Sequence, residues 1–221
     1  KSREIKLFNA RGVYSTPMAE WALFRVLEYY KRGWFFGQEQ KSGRWTKHRE
    51  LKEIFGTKVA VIGAGNVGQE VAKRFHAFGA ETVGFDIHTN ETFGFDYMAL
   101  IETLKESAEE FDVIVVTAPL LPSTKGLVSC EVLQAMKKGA VLVNIARGGL
   151  IDEPAMCKIL KERRDLFAAL DVFETEPLPQ HSPLWKLQNV AISPHNSFVG
   201  DGNNRRMFDL MYNNLKAFIE Q

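Results

Sequence analysis

Short runs of β-branched and aliphatic residues alternate along the chain with stretches whose apolar residues recur every three or four positions. The first pattern is typical of buried strands and the second of helices that pack one face against a sheet. Six strands are predicted in this way, at 59–62, 82–86, 112–119, 140–146, 167–173 and 189–193. Helical spacing occurs at 17–30, 67–78, 98–109, 129–136, 153–164 and 201–219. This alternation predicts an α/β fold, a doubly wound and mostly parallel sheet with helices on both faces.

The segment between the first helix and the first strand has a different character. Residues 33–47 are rich in aromatic, glycine and basic residues, including Trp34 and Trp45. Neither the helical nor the strand period is sustained there, so we expect an irregular arm with some helix.

Composition narrows the class of protein. The 221 residues are 45% hydrophobic and 25% charged, which is typical of a globular protein of one or two domains. With 28 basic and 27 acidic residues, neither nucleic acid nor an anionic membrane is expected as the main partner. The longest apolar run, VIVVTAPLL, is too short to span a bilayer. Cys130 and Cys157 predict reduced thiols and a cytoplasmic protein. The spacing of the histidines predicts no metal site.

The motif GAGNVG follows the first predicted strand and opens the next helix. Its glycines have separate tasks: Gly63 permits a tight turn, Gly65 lets the backbone approach a pyrophosphate, and Gly68 lets helix and strand pack closely. The free N–H groups at the helix start favour an anion. Asp86 closes the second strand, where a carboxylate binds ribose hydroxyls and repels a 2′-phosphate. The motif predicts a Rossmann-type site that prefers NAD to NADP, although the histidine two positions after Asp86 weakens that preference.

Three polar residues each lie just beyond the carboxyl end of a predicted strand, namely Arg147, Glu176 and His195. Open parallel sheets bind their ligands at this edge. An arginine matches a carboxylate with a planar fork of donors, and a histidine exchanges a proton near neutral pH. A carboxylate beside that histidine stabilises the imidazolium. Beside a nicotinamide, the three suit hydride transfer to a keto carbon, with His195 as general acid, Glu176 as its support and Arg147 as substrate anchor.

Each residue also has an ordinary interpretation. The glycine motif and Asp86 alone would suit a plain turn, and Arg147 with two glycines resembles a single copy of an RNA-binding repeat. Glu176 and His195 taken alone are typical of solvated loops, and His181 in the same proline-rich loop as Glu176 is a rival to His195. Their joint occurrence at successive strand ends favours the functional interpretation.

Five motifs, in this order along the chain, are VIGAGNVGQEVA, VVTAPLLPSTKGLV, LVNIARGGLIDE, AALDVFETEPLP and ISPHNSF. They resemble the NAD-binding domain of the D-isomer-specific 2-hydroxyacid dehydrogenases, over nearly the whole chain. The resemblance implies that 1–221 forms one such domain. Its parts are a crossover segment, helix and dimerisation arm at 1–50, a Rossmann core at 51–195 and a C-terminal helix at 196–221. The family's substrate domain is then largely absent.

The resemblance also assigns roles. The family's catalytic residues fall on Arg147, Glu176 and His195. Its NAD contacts fall on Gly63, Gly65, Asn66, Val67, Gly68 and Asp86, on Pro119 and Thr124 in a second loop, and on Ala146 and Asp171 at the nicotinamide end. Where the family often has small residues after the histidine, Phe198 is bulkier and is expected to shape the substrate pocket. A homodimer through the first helix and the arm is implied as well.

Two hypotheses of different class follow. The first is an NAD(H)-dependent oxidoreductase that interconverts a small 2-keto acid and a D-2-hydroxy acid. The second is an NAD(H)-sensing module that dimerises with little turnover, as the C-terminal-binding corepressors do, which an intact Arg–Glu–His set also permits. A formate dehydrogenase is disfavoured, because that branch typically has Gln where Glu176 stands and formate has no ketone to protonate.

Overall fold

The computed structural model describes residues 7–220; residues 1–6 and 221, the two ends of the predicted domain, lie outside the described residues. Seven parallel strands form one sheet in the order β3-β2-β1-β4-β5-β6-β7. The strands are β1 (Lys58–Ile62), β2 (Glu81–Asp86), β3 (Tyr97–Leu100), β4 (Val113–Val116), β5 (Val141–Asn144), β6 (Phe167–Leu170) and β7 (Val190–Ile192). The sheet order reverses between β1 and β4, which is the arrangement of a doubly wound fold, as predicted.

Two helices precede the first strand, four lie between strands, and one follows the last strand of the described residues. They are α1 (Ser15–Tyr30), α2 (Gly33–Lys41), α3 (Asn66–Ala77), α4 (Leu104–Ser107), α5 (Cys130–Ala135), α6 (Glu153–Glu162) and α7 (Asn203–Ile219). The arm thus contains a regular helix, α2, followed by a stretch at 44–53 without regular structure. None of the described helices is both long and apolar enough to cross a membrane.

The core has two layers because neighbouring residues of each buried strand face opposite sides of the sheet. In β1, Val59 and Val61 pack with residues of α1 and α3, such as Val26 and Phe75. Ala60 and Ile62 pack on the other face with residues of α4, α5 and α6, such as Leu104, Leu133 and Ile159. Both faces of the sheet are therefore covered, which explains why the strands are continuous apolar runs.

One of the predicted helices was wrong. Residues 98–109 do not form one helix, because Tyr97–Leu100 extends the sheet beside β2 and the α-helix is confined to Leu104–Ser107. Asp96 fixes the start of this edge strand, since its carboxylate accepts hydrogen bonds from the backbone N–H and the hydroxyl of Thr82, at 2.8 and 3.0 Å. Pairing with an existing strand outweighs the modest helix propensity of four residues.

The predicted strands also end too late. The runs predicted at 112–119, 140–146 and 167–173 leave the sheet at Val116, Asn144 and Leu170. The residues after these strand ends lie at the carboxyl edge of the sheet and form the loops that carry the candidate site.

Candidate active site

The glycine loop between β1 and α3 is packed too closely for side chains at two of its positions. Gly63 has φ +97°, and a Cβ there would lie 2.7 Å from the backbone of Ala118. A Cβ on Gly68 would lie 2.1 Å from the carbonyl oxygen of Gly63. The Thr117 hydroxyl donates a hydrogen bond to that same oxygen at 2.7 Å. The loop is thus fixed against the β4 loop by contacts that only glycine allows.

Gly65 differs from its neighbours, because a Cβ built on it would meet no atom within 4 Å. It immediately precedes α3, whose first N–H groups have no partner within the helix. Asn66 is held beside it by a hydrogen bond from Arg11 Nε to Asn66 Oδ1 at 3.1 Å, and Val67 is half-buried in the first turn. The open space, the helix start and a nearby guanidinium together fit the pyrophosphate of a dinucleotide.

Asp86 at the end of β2 lies beside this loop. One of its carboxylate oxygens accepts the Ala64 N–H at 2.8 Å, and the other accepts the Ile87 N–H at 2.7 Å. The carboxylate is half-buried and fixed in orientation, and it keeps acceptor capacity for ribose hydroxyls.

The second predicted loop follows β4. The Thr124 hydroxyl donates to the carbonyl oxygen of Pro119 at 2.7 Å and accepts the Leu121 N–H at 2.7 Å. Thr124 therefore closes this loop on itself, and Pro119 lies exposed on its outer side.

A buried asparagine fixes the turn on which Arg147 lies. Asn144, 1% exposed, accepts the Ala146 N–H at 3.1 Å and donates its side-chain amide to the Arg147 carbonyl at 3.0 Å. Ala146 is buried in this turn, and Arg147 is exposed. The guanidinium uses one donor on the Ala146 carbonyl at 2.6 Å, which leaves most of its N–H groups for a ligand.

Gly148 explains why glycine must follow this arginine. A Cβ at Gly148 would lie 1.9 Å from the carbonyl carbon of Phe173 and 2.3 Å from the N atom of Glu174. The turn that carries Arg147 is thereby pressed against the loop after β6, which carries Glu176.

Glu176 and His195 are in direct contact, with His195 Nδ1 2.7 Å from Glu176 Oε2. The other carboxylate oxygen, Oε1, accepts the Phe173 N–H at 3.0 Å. Both oxygens of Glu176 are therefore engaged, and Nε2 of His195 stays free to face a substrate.

Asp171 is buried beneath the loop that carries His195. It has no exposed surface, and its carboxylate accepts hydrogen bonds from the Ser193 hydroxyl and from the N–H groups of Asn196 and Ser197, the latter two at 2.9 and 2.8 Å. Its carbonyl accepts the His195 N–H at 2.8 Å. Asp171 thereby orders the loop that carries His195, whose φ is +50°, and its contact with the nicotinamide end stays a prediction.

Arg147, Glu176 and His195 line one cavity of about 600 Å³. Lys125 also lines it, and its side chain forms no hydrogen bond or ion pair with the residues that the structure describes. Lys125 was not predicted from the sequence, although its position directly after Thr124 in the second loop was a usable signal. His181, the rival histidine, is absent from this lining.

Phe198 packs against the histidine rather than lining that cavity. Its ring meets the His195 ring edge-on at 5.8 Å and the Tyr14 ring edge-on at 5.8 Å. The bulky residue thus links the His195 loop to the start of α1. Its effect on the shape of the substrate pocket stays a prediction. Within residues 7–220, no group of three or more His, Cys, Asp or Glu side chains is arranged to hold a metal ion.

A parallel sheet of this order with a glycine loop after β1 defines a dinucleotide-binding domain. Residues 23–197 match the model of the D-isomer specific 2-hydroxyacid dehydrogenase NAD binding domain, and the chain belongs to that family. It is 41% identical over 160 residues to a D-3-phosphoglycerate dehydrogenase of Methanocaldococcus jannaschii, covering 70% of this chain and 30% of that one. It is 32% identical to a glyoxylate reductase of Korarchaeum cryptofilum, covering 98% and 67%.

A similar solved structure is a D-isomer specific 2-hydroxyacid dehydrogenase from Xanthobacter autotrophicus Py2 in complex with NADPH and MES. The TM-score is 0.82 at 28% identity, and the alignment covers 99% of this chain and 89% of that one. The fold and the nicotinamide cofactor class are therefore those of the family.

Proposed function

We propose that the protein interconverts a small 2-keto acid and a D-2-hydroxy acid with NAD(H). The observation that carries the proposal is the convergence of Arg147, Glu176 and His195 on one cavity at the carboxyl ends of β5, β6 and β7. The glycine loop lies at the same edge of the sheet, after β1. Activities named for relatives support the same class of reaction, since they include glyoxylate reductase and D-3-phosphoglycerate dehydrogenase.

Each residue has a separate task in this mechanism. Arg147 binds the substrate carboxylate with its free guanidinium N–H groups and orients the keto group. When bound, a reduced nicotinamide supplies the hydride. His195, with Nδ1 on Glu176, gives the proton on Nε2 to the keto oxygen, and in the reverse direction it takes the hydroxyl proton. Glu176 holds the ring in orientation and stabilises its charged form.

The proposed cofactor preference rests on Asp86. Its fixed carboxylate would accept hydrogen bonds from ribose hydroxyls and repel the 2′-phosphate of NADP. The pyrophosphate side would be held by Gly63, Gly65, Asn66, Val67 and Gly68. The remainder of the cofactor would be held by Pro119, Thr124, Ala146 and Asp171. A lower Kd for NADPH than for NADH would contradict this assignment.

The activity is tested by following nicotinamide absorbance with the full-length protein and a panel of 2-keto acids. The panel contains glyoxylate, pyruvate, hydroxypyruvate, phenylpyruvate and phosphohydroxypyruvate. Consumption of NADH with one of these acids supports the proposal and identifies the substrate class. If NADH binds but no acid is reduced, the reductase proposal fails.

Arg147→Lys tests the substrate anchor. We expect kcat/KM for the keto acid to fall by about a hundredfold, because an ammonium cannot form two parallel hydrogen bonds with a carboxylate. The change should appear as a higher KM for the keto acid, and the affinity for NADH should stay unchanged. Arg205→Lys, an exposed position on α7, is the matched control. Equal kcat/KM in the Arg147 variant and the control would refute the role of Arg147.

Glu176→Gln tests the support of His195. The amide keeps the bond from the Phe173 N–H but removes the charge 2.7 Å from Nδ1. The imidazole then loses the carboxylate that orients it and stabilises the charge of the general acid, so kcat for keto acid reduction should fall by about tenfold or more while NADH binding stays unchanged. A kcat equal to the wild-type value would show that the carboxylate has another role.

We also propose a homodimer, formed through α1 and the arm, in the cytoplasm. The arm carries exposed aromatic side chains, Phe36 at 38% and Trp45 at 96% exposure, that a partner copy would cover. The two cysteines are unpaired thiols, in keeping with a reducing compartment. Sedimentation with and without NADH distinguishes the sensing module from the enzyme, because in a sensing module NADH changes the mass of the assembly without turnover. A monomer at all protein concentrations would contradict the dimer.

A further inference from the structure

A second cavity lies at the amino-terminal ends of the strands, on the side of the sheet opposite the candidate active site. Its volume is about 540 Å³, and its lining includes Gly139 just before β5, Phe167 at the start of β6 and Asn189 just before β7. The candidate active site follows the carboxyl ends of the same three strands. Four residues of strand span about 13 Å, so the two cavities are separate sites on opposite edges. Doubly wound folds usually bind their ligands at the carboxyl ends of the strands, so the second cavity is not the usual ligand site.

The lining of this cavity, which we call the basic cavity, carries five cationic side chains: Arg32, Lys52, Lys161, Arg164 and Lys186. Within residues 7–220 none of them forms an ion pair. This concentration of one sign occurs in a chain whose formal net charge is +1. It is therefore a local feature and not a consequence of overall composition.

The lining holds one carboxylate, Asp165, and that charge is already used. Asp165 accepts a hydrogen bond from Arg163 at 2.9 Å and from the Gly139 N–H at 3.2 Å. Burial alone would raise the pKa of Asp165, but these hydrogen bonds outweigh burial and lower it, so the group is ionised and paired with Arg163. Glu50 lines a smaller adjoining cavity of about 270 Å³, which shares Arg32 and Lys52.

The inner wall of the basic cavity is ordered before any ligand binds. Tyr29 stacks on Phe167 with ring centroids 4.1 Å apart, and the Arg32 guanidinium lies 5.3 Å from the Tyr29 ring centroid. Lys52 donates to the Gly139 carbonyl at 2.8 Å, which leaves its other N–H groups free. Exposed Lys161, Arg164 and Lys186 supply charge from the outer side.

We propose that the basic cavity binds a small organic anion that carries two or more phosphate charges. Five uncompensated cations exceed what one carboxylate would neutralise, and guanidinium forks and ammonium groups are the usual protein partners of phosphate. The volume suits a small molecule rather than a single phosphate ion, and the aromatic wall accepts its less polar part.

Calorimetric titration of the protein with inorganic pyrophosphate tests this site, with and without saturating NADH, because pyrophosphate also fits the glycine loop. Binding that persists with NADH present is expected. The double variant Arg164→Gln with Lys186→Gln should weaken it by roughly tenfold or more, since both removed charges face the anion. The control is Arg205→Gln with Lys73→Gln, the same changes on exposed positions of α7 and α3, and it should bind as the wild type does. Melting curves verify that both double variants are folded.

Three results would overturn the proposal. Binding that NADH abolishes and the cavity variant retains would place pyrophosphate in the glycine loop. Absence of binding in every condition would show that the cations have no such ligand. A dimer that the cavity variant dissociates, without pyrophosphate binding by the wild type, would assign the basic cavity to the contact between two copies of the chain.

Discussion

Replacement of His195 by asparagine should lower kcat for keto acid reduction by about a thousandfold while leaving NADH affinity within twofold of wild type. A positioned general acid contributes between about a hundredfold and ten-thousandfold to rate, and asparagine cannot supply a proton. Asparagine is the appropriate substitute because His195 has φ +50°, a conformation that asparagine tolerates better than most residues. The Glu176 carboxylate is partly exposed to solvent, so the substitution does not leave an unpaired buried charge.

The matched control is His181→Asn. His181 is exposed in the proline-rich loop that also carries Glu176, and it does not line the candidate site. Its replacement should leave kcat and KM unchanged. A loss of activity in the His181 variant, with activity retained in His195→Asn, would transfer the acid role to the rival histidine.

Gly148→Ala should lower the free energy of unfolding by about 3 kcal/mol, and the melting temperature by roughly 10 °C for a domain of this size. The added Cβ would lie 1.9 Å from the carbonyl carbon and 2.2 Å from the carbonyl oxygen of Phe173. Both contacts are backbone atoms, so no side-chain rotation relieves them. The turn that carries Arg147 must then move away from the loop that carries Glu176.

Gly149→Ala is the control next along the chain. Its Cβ would approach only the Leu120 side chain, at 3.2 Å, and a leucine methyl group can move by a few tenths of an ångström. We expect a change below about 1 kcal/mol in chemical denaturation. Equal stability of the two variants would show that the close approach of Gly148 to Phe173 does not constrain the fold.

The sheet could be predicted from the sequence because its central strands are buried on both faces. Such strands are continuous apolar runs bounded by turn residues, as in Val113–Val116, and their period is hard to mistake once helices separate them. The edge strand Tyr97–Leu100 lacked that signal, since its ends are exposed and its apolar residues also fit a helix. Pairing with β2 decides its structure, and that contact is not encoded locally.

The candidate site followed from the rule that ligands bind at the carboxyl edge, which selected Arg147, Glu176 and His195 from many polar residues. The residues that hold them were harder to recognise. Asn144 and Asp171 are single polar residues within apolar runs, and the sequence does not reveal that their hydrogen bonds shape the turns on which Arg147 and His195 lie. Lys125 reaches the cavity only because the second loop folds back through Thr124.

Transfer of deuterium tests the central claim most directly. The full-length protein would be supplied with NADH deuterated at C4 of the nicotinamide and with the keto acid that the substrate panel identifies. The mechanism predicts one deuterium at C2 of the product and the D configuration at that carbon, with none transferred by His195→Asn on the same time scale. Reduction in which C2 takes its hydrogen from water would contradict direct hydride transfer at this site, and a product of L configuration would contradict the proposed D-2-hydroxy acid.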